Sequence, residues 1–369
     1  MTDNSFVRTE SHPDLPPPVR HTGIIRWMRQ NLFSSWFNTF LTISSLYLLY
    51  RIVPPFLEWA IFSADLSGST YQDCTSGGAC WAMVRVRFDQ FMYGFFPTTE
   101  RWRVDIGFLL LFATAIPLMI DGIPGKKYLA IFVFAIYPFV AFLLFHGGFG
   151  LEIVDTAQWG GLMLTLVLAT VTIVVSLPLG ILFALGRRSE MPIIRMICIG
   201  FIELWRGVPL ITVLFMGSVM LPLFLPPGTN FDKILRTLIV MALFAAAYMA
   251  EVVRGGLQAI PKGQYEAAQA MGLSYWKTMG LIILPQALKI VIPGIVNTFI
   301  ALFKDTTLVL VIGLLDFLSI IQSATTHKNW LGTSTEGYVF AAAVYWIFCF
   351  SMSRYSIRLE RKLDTGHRN

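Results

Sequence analysis

Charge is scarce in this 369-residue chain: Asp, Glu, Lys and Arg make up 14% of it, against about 25% in a soluble globular domain. That shortage excludes an ordinary water-soluble exterior. Histidine is scarce too, and the five present, His12, His21, His146, His327 and His367, stand apart without the paired spacing that holds a metal. No metal site is expected. The phosphate-cradling pattern G-x-x-x-x-G-K-[ST] is missing: beside "GIPGKKY", Gly122 to Tyr128, Ile120 stands where the leading glycine belongs and Lys127 where the hydroxyl belongs. The chain is therefore expected to bind no cofactor of its own. Nor do 28 Lys and Arg against 22 Asp and Glu form a dense basic block, so the net charge of +6 does not signal nucleic acid.

What is abundant is apolar, 55% of the residues, and the composition predicts an all-α integral membrane protein. A span needs about 20 apolar residues. Eight segments approach that length, at about 36–57, 104–120, 128–146, 158–186, 208–225, 235–253, 289–313 and 338–353. Residues 1–33, with "SHPDLPPPVRH", carry too little apolar surface to fold and predict a disordered tail. The first apolar stretch has no small-residue cleavage site after it, which predicts a signal anchor rather than a cleaved signal. "GKK", "GRRSE", "RGG…PKG" and "RLERK" follow the second, fourth, sixth and eighth spans. The positive-inside rule makes that side, and with it both termini, cytoplasmic.

Between the fourth and fifth spans, "MPIIRMICIGFIELWRG" is amphipathic and bounded by Pro192 and Gly207. It predicts an interfacial elbow, with Pro209 in the first turn of the next span. The alternative, a single tilted span over 192–222, buries Arg195, Glu203 and Arg206 in lipid. The outside loop at about 58–103 contains "CTSGGAC". There Cys74 and Cys80 are either bridged or two free thiols, while Cys198 and Cys349 read as packing residues.

The stretch "EAAQAMGLSYWKTMGLIILPQAL", Glu266 to Leu288, is helical in pattern but too polar to cross a bilayer. Gln264 to Met271 predicts a helix whose Ala267, Ala268 and Ala270 present a low-relief surface, ended by a left-handed Gly272. Ser274 is placed to cap a second helix, Tyr275 to Ile283, with Pro285 as its terminator. Two short helices and a glycine elbow make a knob for a cytoplasmic partner.

At these residues the sequence resembles the permease subunits of ABC importers, whose loop has the pattern E-A-A, three residues, G, nine residues, I, one residue, L-P. Here it reads Glu266-Ala267-Ala268, Gly272, Ile282, Leu284-Pro285, with every spacing kept. "ELWRGVPL" at 203–210, "YMAEVVRGGLQAIPKGQYEAAQAMGLS" at 248–274, "LPQALKIVIPGIVN" at 284–297 and "LFKDTTL" at 302–308 look like the polar amino-acid uptake branch, specifically the Aap and Bzt type. Thr307 and Val208 depart conservatively from the usual Ser and Thr. The resemblance implies a type I permease core of five spans over 151–369, with its EAA coupling loop at about 254–288. It leaves 34–150 as an extension of three spans with a periplasmic loop. It further implies a bacterial inner-membrane location, a second homologous permease, a cytoplasmic ABC ATPase dimer that uses ATP and Mg, and a periplasmic binding protein that delivers an L-amino acid. Gln264, Glu266, Ala267, Ala268 and Gly272 become the ATPase-coupling residues. Glu203 and Arg206 at the elbow, and Glu251 and Arg254 on the sixth span, are expected to tie the elbow to that span beside the knob.

Lys304-Asp305-Thr306-Thr307 is the other chemically loaded stretch. Fifteen residues of helix from Lys289 rise about 22 Å, which puts Lys304 in the outer part of the hydrocarbon core. Adjacent helical positions diverge by about 100°, so Lys304 and Asp305 do not simply neutralise each other. Asp305 or Thr306 capping a new helix near Thr307 breaks the span, as at transporter substrate sites. The other reading is an interfacial anchor. Asn297 either lines the same path or bonds a neighbouring helix. Two other classes are thinner: an ion-coupled secondary transporter lacks its internal repeats here, and an intramembrane enzyme has only "GTST" at Gly332 to Thr335 near His327, so no catalytic residue is assigned.

Overall fold

The computed structural model describes residues 23–120, 122–226 and 231–363; residues 1–22 of the tail expected over 1–33 lie outside them, and its last third is not irregular but carries the helix Ile24–Asn31. Among the described residues there are sixteen α-helices and no strand, only three isolated bridges. The chain divides into two units, residues 1–65 with 74–79, and residues 66–73 with 80–369.

The first unit holds α1 (Ile24–Asn31) and α2 (Trp36–Leu57), whose Ser35 side chain caps the helix by accepting from Asn38 N at 3.2 Å. Pro54 and Pro55 lie in the last turn of α2, which runs on through a π-helical turn, Glu58–Phe62. No residue of α2 is buried. A long helix apolar on every side finds its solvent in lipid tails.

The second unit begins its helices with α3 (Ala82–Tyr93), a twelve-residue element inside what the sequence suggests is only an outside loop. Then come α4 (Arg101–Met119), and α5 (Lys126–Ile131) and α6 (Tyr137–His146) fused by a π-helical stretch into one span. After α7 (Gly161–Arg187) follow α8 (Pro192–Gly207) and α9 (Leu210–Phe215), α9 continuing in π and 3-10 turns to Phe224. The remainder is α10 (Lys233–Ala259), α11 (Lys262–Ala270), α12 (Tyr275–Thr278), α13 (Leu284–Ile290), α14 (Ile292–Asp305), α15 (Phe317–Thr325) and α16 (Ser334–Leu363). Seven helices are long and apolar enough to span, and an eighth if α8 and the α9 segment, bent by 103°, count as one. The bend falls at Val208 and Pro209, both extended, because the residue before a proline is driven out of the helical region. An elbow therefore exists where "RGVP" predicts it. Pro209 stands at the N-cap, however, and the segment beyond it is shorter than a full straight span.

The centre of this unit is the pair α7 and α10, with α10 the most buried of the spans. Ala245, Ala246, Ala247 and Ala250 are wholly buried, and a Cβ on Gly180 would meet Met249 Cβ at 2.6 Å. Small residues let the two backbones approach where lipid offers no hydrophobic drive for association. At one end of the pair Trp159, Leu168, Met241, Phe244 and Val309 share a cluster; at the other Ala184, Ile202, Val253, Leu257 and Ile283 share a second. Asp316 is fully buried at the N-cap of α15, accepting from Ser319 N at 3.1 Å and Tyr345 Oη at 3.2 Å, and burial pushes its carboxyl above the usual range. This cap joins α15 to α16.

Candidate functional site

The knob takes the form the loop pattern implies. Ile260 is extended ahead of Pro261, which ends α10, and Pro261 caps α11. At the other end Gly272 has φ +70°, Leu273 N donates to Ala268 O at 3.1 Å and Gly272 N to Gln269 O at 2.9 Å. Those two bonds are a Schellman closure, which needs the left-handed residue that glycine supplies without strain. Gln264, Glu266, Ala267 and Gly272 are exposed. Ala268 is not: at 1% exposure it faces the protein's interior and offers no partner surface. It shares that inward face with Tyr265, three residues earlier, whose hydroxyl donates to Leu257 O at 3.3 Å.

The second half of the knob differs from its expectation. Ser274 stands at the N-cap of α12, but its side chain accepts no capping bond. A π-helical turn, Met279–Ile283, carries α12 into α13, so Pro285 sits in the first turn of α13 instead of terminating a helix. The wider turn absorbs the proline, whose missing N–H costs nothing in a first turn. Gln286 Nε2 donates to Gln264 Oε1 at 3.2 Å, tying α13 back to α11.

Two arginines at the end of α7 carry no signal in the loop motif, and one of them, Arg188, fastens the knob. Arg188 donates to Leu257 O at 3.0 Å and to Tyr265 Oη at 3.1 Å, with its guanidinium 5.6 Å from the Tyr265 ring centre. Arg187 donates to Glu251 Oε1 at 2.6 Å and to Glu203 Oε1 at 3.1 Å. Glu251 is the hub: Arg254 pairs with it at 2.6 Å and Arg206 approaches at 3.7 Å. The four residues picked from the sequence thus meet through a fifth, and α7, α8 and α10 are joined beside the knob. The positive-inside rule alone reads "GRR" as an orientation signal. Met271 and Trp276, 80% and 70% exposed, add an apolar surface to the knob that motif reading missed.

The four candidate path residues separate. Asn297 and Lys304 are seven residues apart and lie on one exposed face of α14, with Ala301 between them. Asp305 is half-buried, and Thr306 is wholly buried with its hydroxyl donating to Phe303 O at 2.9 Å. The span does not break and restart: after Asp305 it tightens into a 3-10 turn, Thr306–Ile312, and no side chain caps it. Cys74 and Cys80 are both disulfide-bonded; Cys198 and Cys349 are free.

Residues 176–365 match the family described as the binding-protein-dependent transport system inner membrane component. The inner membrane amino-acid ABC transporter permease protein YhdY of Escherichia coli is 56% identical, over 96% of this chain and 97% of its own. The glutamate/glutamine/aspartate/asparagine transport system permease protein BztC of Rhodobacter capsulatus is 43% identical, over 100% of both chains. The solved structure titled "Crystal structure of an amino acid ABC transporter with histidines" is 32% identical over 55% of this chain and 92% of its own, with a TM-score of 0.48. The protein is a multi-pass inner-membrane transporter component rather than an enzyme, and it belongs to the family of binding-protein-dependent inner membrane components, the permease subunits of ABC importers.

Proposed function

We propose that this permease carries polar L-amino acids from the periplasm to the cytoplasm beside a second homologous permease. A periplasmic binding protein delivers the substrate, and a cytoplasmic ABC ATPase dimer hydrolyses ATP with Mg as its cofactor. The observation that carries the reading is the knob: a glycine-closed helix with exposed Gln264, Glu266, Ala267 and Gly272, lashed to α7 and α13 by Arg188 and Gln286. A rigid surface of that kind can transmit motion between a soluble partner and the spans. The amino-acid substrate rests on the full-length likeness to the two permeases named above. Proteoliposomes holding both permeases and the ATPase are expected to accumulate labelled amino acid only with Mg-ATP inside and binding protein outside. Accumulation driven by an ion gradient without the ATPase would instead select the secondary-transporter reading.

Residues 34–150 form an extension carrying the loop at 58–103, and 151–369 form the core with the coupling loop at 254–288. Both termini are cytoplasmic, although the last six residues, like residues 1–22, lie outside the described ones. A cysteine label near Lys126 is expected to react only from the cytoplasm and one near Tyr71 only from outside; the reverse pattern would invert the topology and remove the knob from reach of any ATPase.

Lys304, exposed on the same face as Asn297, lines the route or its gate, with Asp305 and Thr306 supporting it from the packed side. Lys304→Ala is expected to insert normally, because it removes a charge from the apolar zone, and to lower uptake. Uptake at the wild-type rate would leave Lys304 as an anchor.

A further inference from the structure

Between α6 and α7 the chain reads His146-Gly147-Gly148-Phe149-Gly150-Leu151-Glu152, a stretch that no motif accounts for. Gly148 and Leu151 exchange both backbone bonds at 3.1 Å, which closes a two-residue turn over Phe149 and Gly150. Both have positive φ, +52° and +97°. A hairpin turn of that mirror-image type normally takes asparagine or aspartate first and glycine second. Phenylalanine is a poor substitute, because its Cβ crowds the backbone in the left-handed region. Among the described residues no other non-glycine has positive φ. At 102% exposure the ring is uncovered by the rest of the chain, so nothing within the chain offsets that strain. What offsets it lies outside the chain.

The hairpin is held firmly at its base. Val154 N donates to His146 O at 2.8 Å. The wholly buried Arg103 of α4 donates from Nη1 to Glu152 O at 2.9 Å, while its Nε lies 2.7 Å from Glu100 Oε2. A Cβ on Gly147 would meet Glu152 O at 2.1 Å, so the two arms of the hairpin touch.

The height of the tip follows from α4 and α6. Phe145, next to last in α6, packs on Phe108 of α4 with ring centres 5.4 Å apart. From Phe108 to Trp102 α4 rises about 9 Å, so α6 stops about that far short of the end of α4. Three residues of extended chain reach about 10 Å, which brings Phe149 to the level of Trp102 and little higher. Trp102 is half exposed in the first turn of a span, the place of an interfacial aromatic. Beneath that level Leu109 of α4 and Phe139 and Phe142 of α6 are exposed, an apolar surface that only lipid tails suit, and exposed Ile153 continues it into the returning arm. We propose that this hairpin is a membrane anchor, which dips Phe149 into the outer-leaflet interface and fastens the outer end of the α4–α6 pair to lipid. The choice of leaflet rests on the topology proposed above, which the labels near Lys126 and Tyr71 test separately from the anchor.

The test uses the purified complex of permeases and ATPase in lipid nanodiscs. With the free Cys198 and Cys349 replaced by alanine, Phe149→Cys takes a nitroxide label; Lys328→Cys, exposed in the loop before α16, is the water-facing control. At position 149 collisions with oxygen should be frequent, and those with a water-soluble nickel chelate several-fold rarer than at 328. Phe149→Trp keeps a ring at the tip, and the emission it adds to that of the wild type should be quenched by lipids brominated high in the acyl chain. Nickel access equal to that at 328, or added emission that brominated lipid leaves unquenched, puts the tip in water and overturns the anchor. Exclusion of oxygen and nickel alike, or protection that arises only when binding protein is added, makes the tip a protein contact and overturns it too.

Discussion

Gly272→Leu is expected to uncouple the importer while leaving the permease folded and inserted. Gly272 sits at φ +70° and closes α11, and an L-residue with a bulky side chain in the left-handed region costs about 1 to 2 kcal/mol. A Cβ built there meets nothing within 4 Å. The chain itself therefore has room for the side chain, and any further loss falls on whatever seats against the knob. Overpacking a close interface adds about 1 to 3 kcal/mol, so the two effects together are worth about a thirtyfold to several-thousandfold loss of ATPase affinity. Gly272→Asn separates them, because asparagine tolerates the left-handed region. Recovery with asparagine assigns the defect to backbone conformation; failure of both assigns it to space in the interface. The readouts are ATPase retention on purification and substrate-stimulated hydrolysis, and normal values for Gly272→Leu would mean that this loop couples nothing. Glu266→Lys is a milder companion, since it reverses an exposed charge with helix propensity nearly unchanged.

The knob also marks where sequence reasoning stops. Spacing alone located Gly272, because a helix with no left-handed terminator has few other ways to end before a polar turn. Spacing did not say which alanine faces inward. Ala267 and Ala268 are chemically identical, and only the direction of Tyr265 toward Leu257 decides that 268 is buried. Substituting Ala268 therefore tests packing within the chain, not contact with a partner. Pro285 misled for a related reason: a proline stops a regular helix, but the π-helical turn at Met279–Ile283 resets the frame so that the same proline begins the next segment. The N-cap Asp316, with Ser319 at the third helical position, is a capping pattern that stands in the sequence outside the loop motif. Arg187 and Arg188 looked like orientation charges, a role that composition explains fully. Their second role depends on α7 ending level with Glu251 and Leu257 of α10, a register that comes from Gly180 and the α10 alanines packing across the chain.

That register concentrates the largest single stability effect at Glu251. Its side chain is 14% exposed and lies against Arg187 and Arg254 at 2.6 Å each, with Arg206 at 3.7 Å. Removing the central carboxylate with Glu251→Ala leaves three guanidinium groups facing one another with only Glu203, 57% exposed, to offset them. Breaking a buried pair from one side costs about 3 to 5 kcal/mol; with the three arginines 22 to 37% exposed, the expected loss lies below that range and above the roughly 1 kcal/mol of a solvated pair, read as a lowered unfolding temperature of the purified complex. Glu203→Gln removes a mostly solvated partner and should cost less than about 1 kcal/mol. The double change Glu251→Gln with Arg187→Gln should recover part of the loss, because the cost comes from uncompensated charge more than from a missing contact. The cluster joins α7, α8 and α10 beside the knob, so stability and coupling are measurable separately. A conservative Glu251→Gln that keeps the unfolding temperature but loses substrate-stimulated hydrolysis would make the hub a transmitter of ATPase motion. Equal loss of both would make it a brace that holds the knob in place, and loss of neither would show that the three arginines find water or lipid phosphate as good a partner as the glutamate.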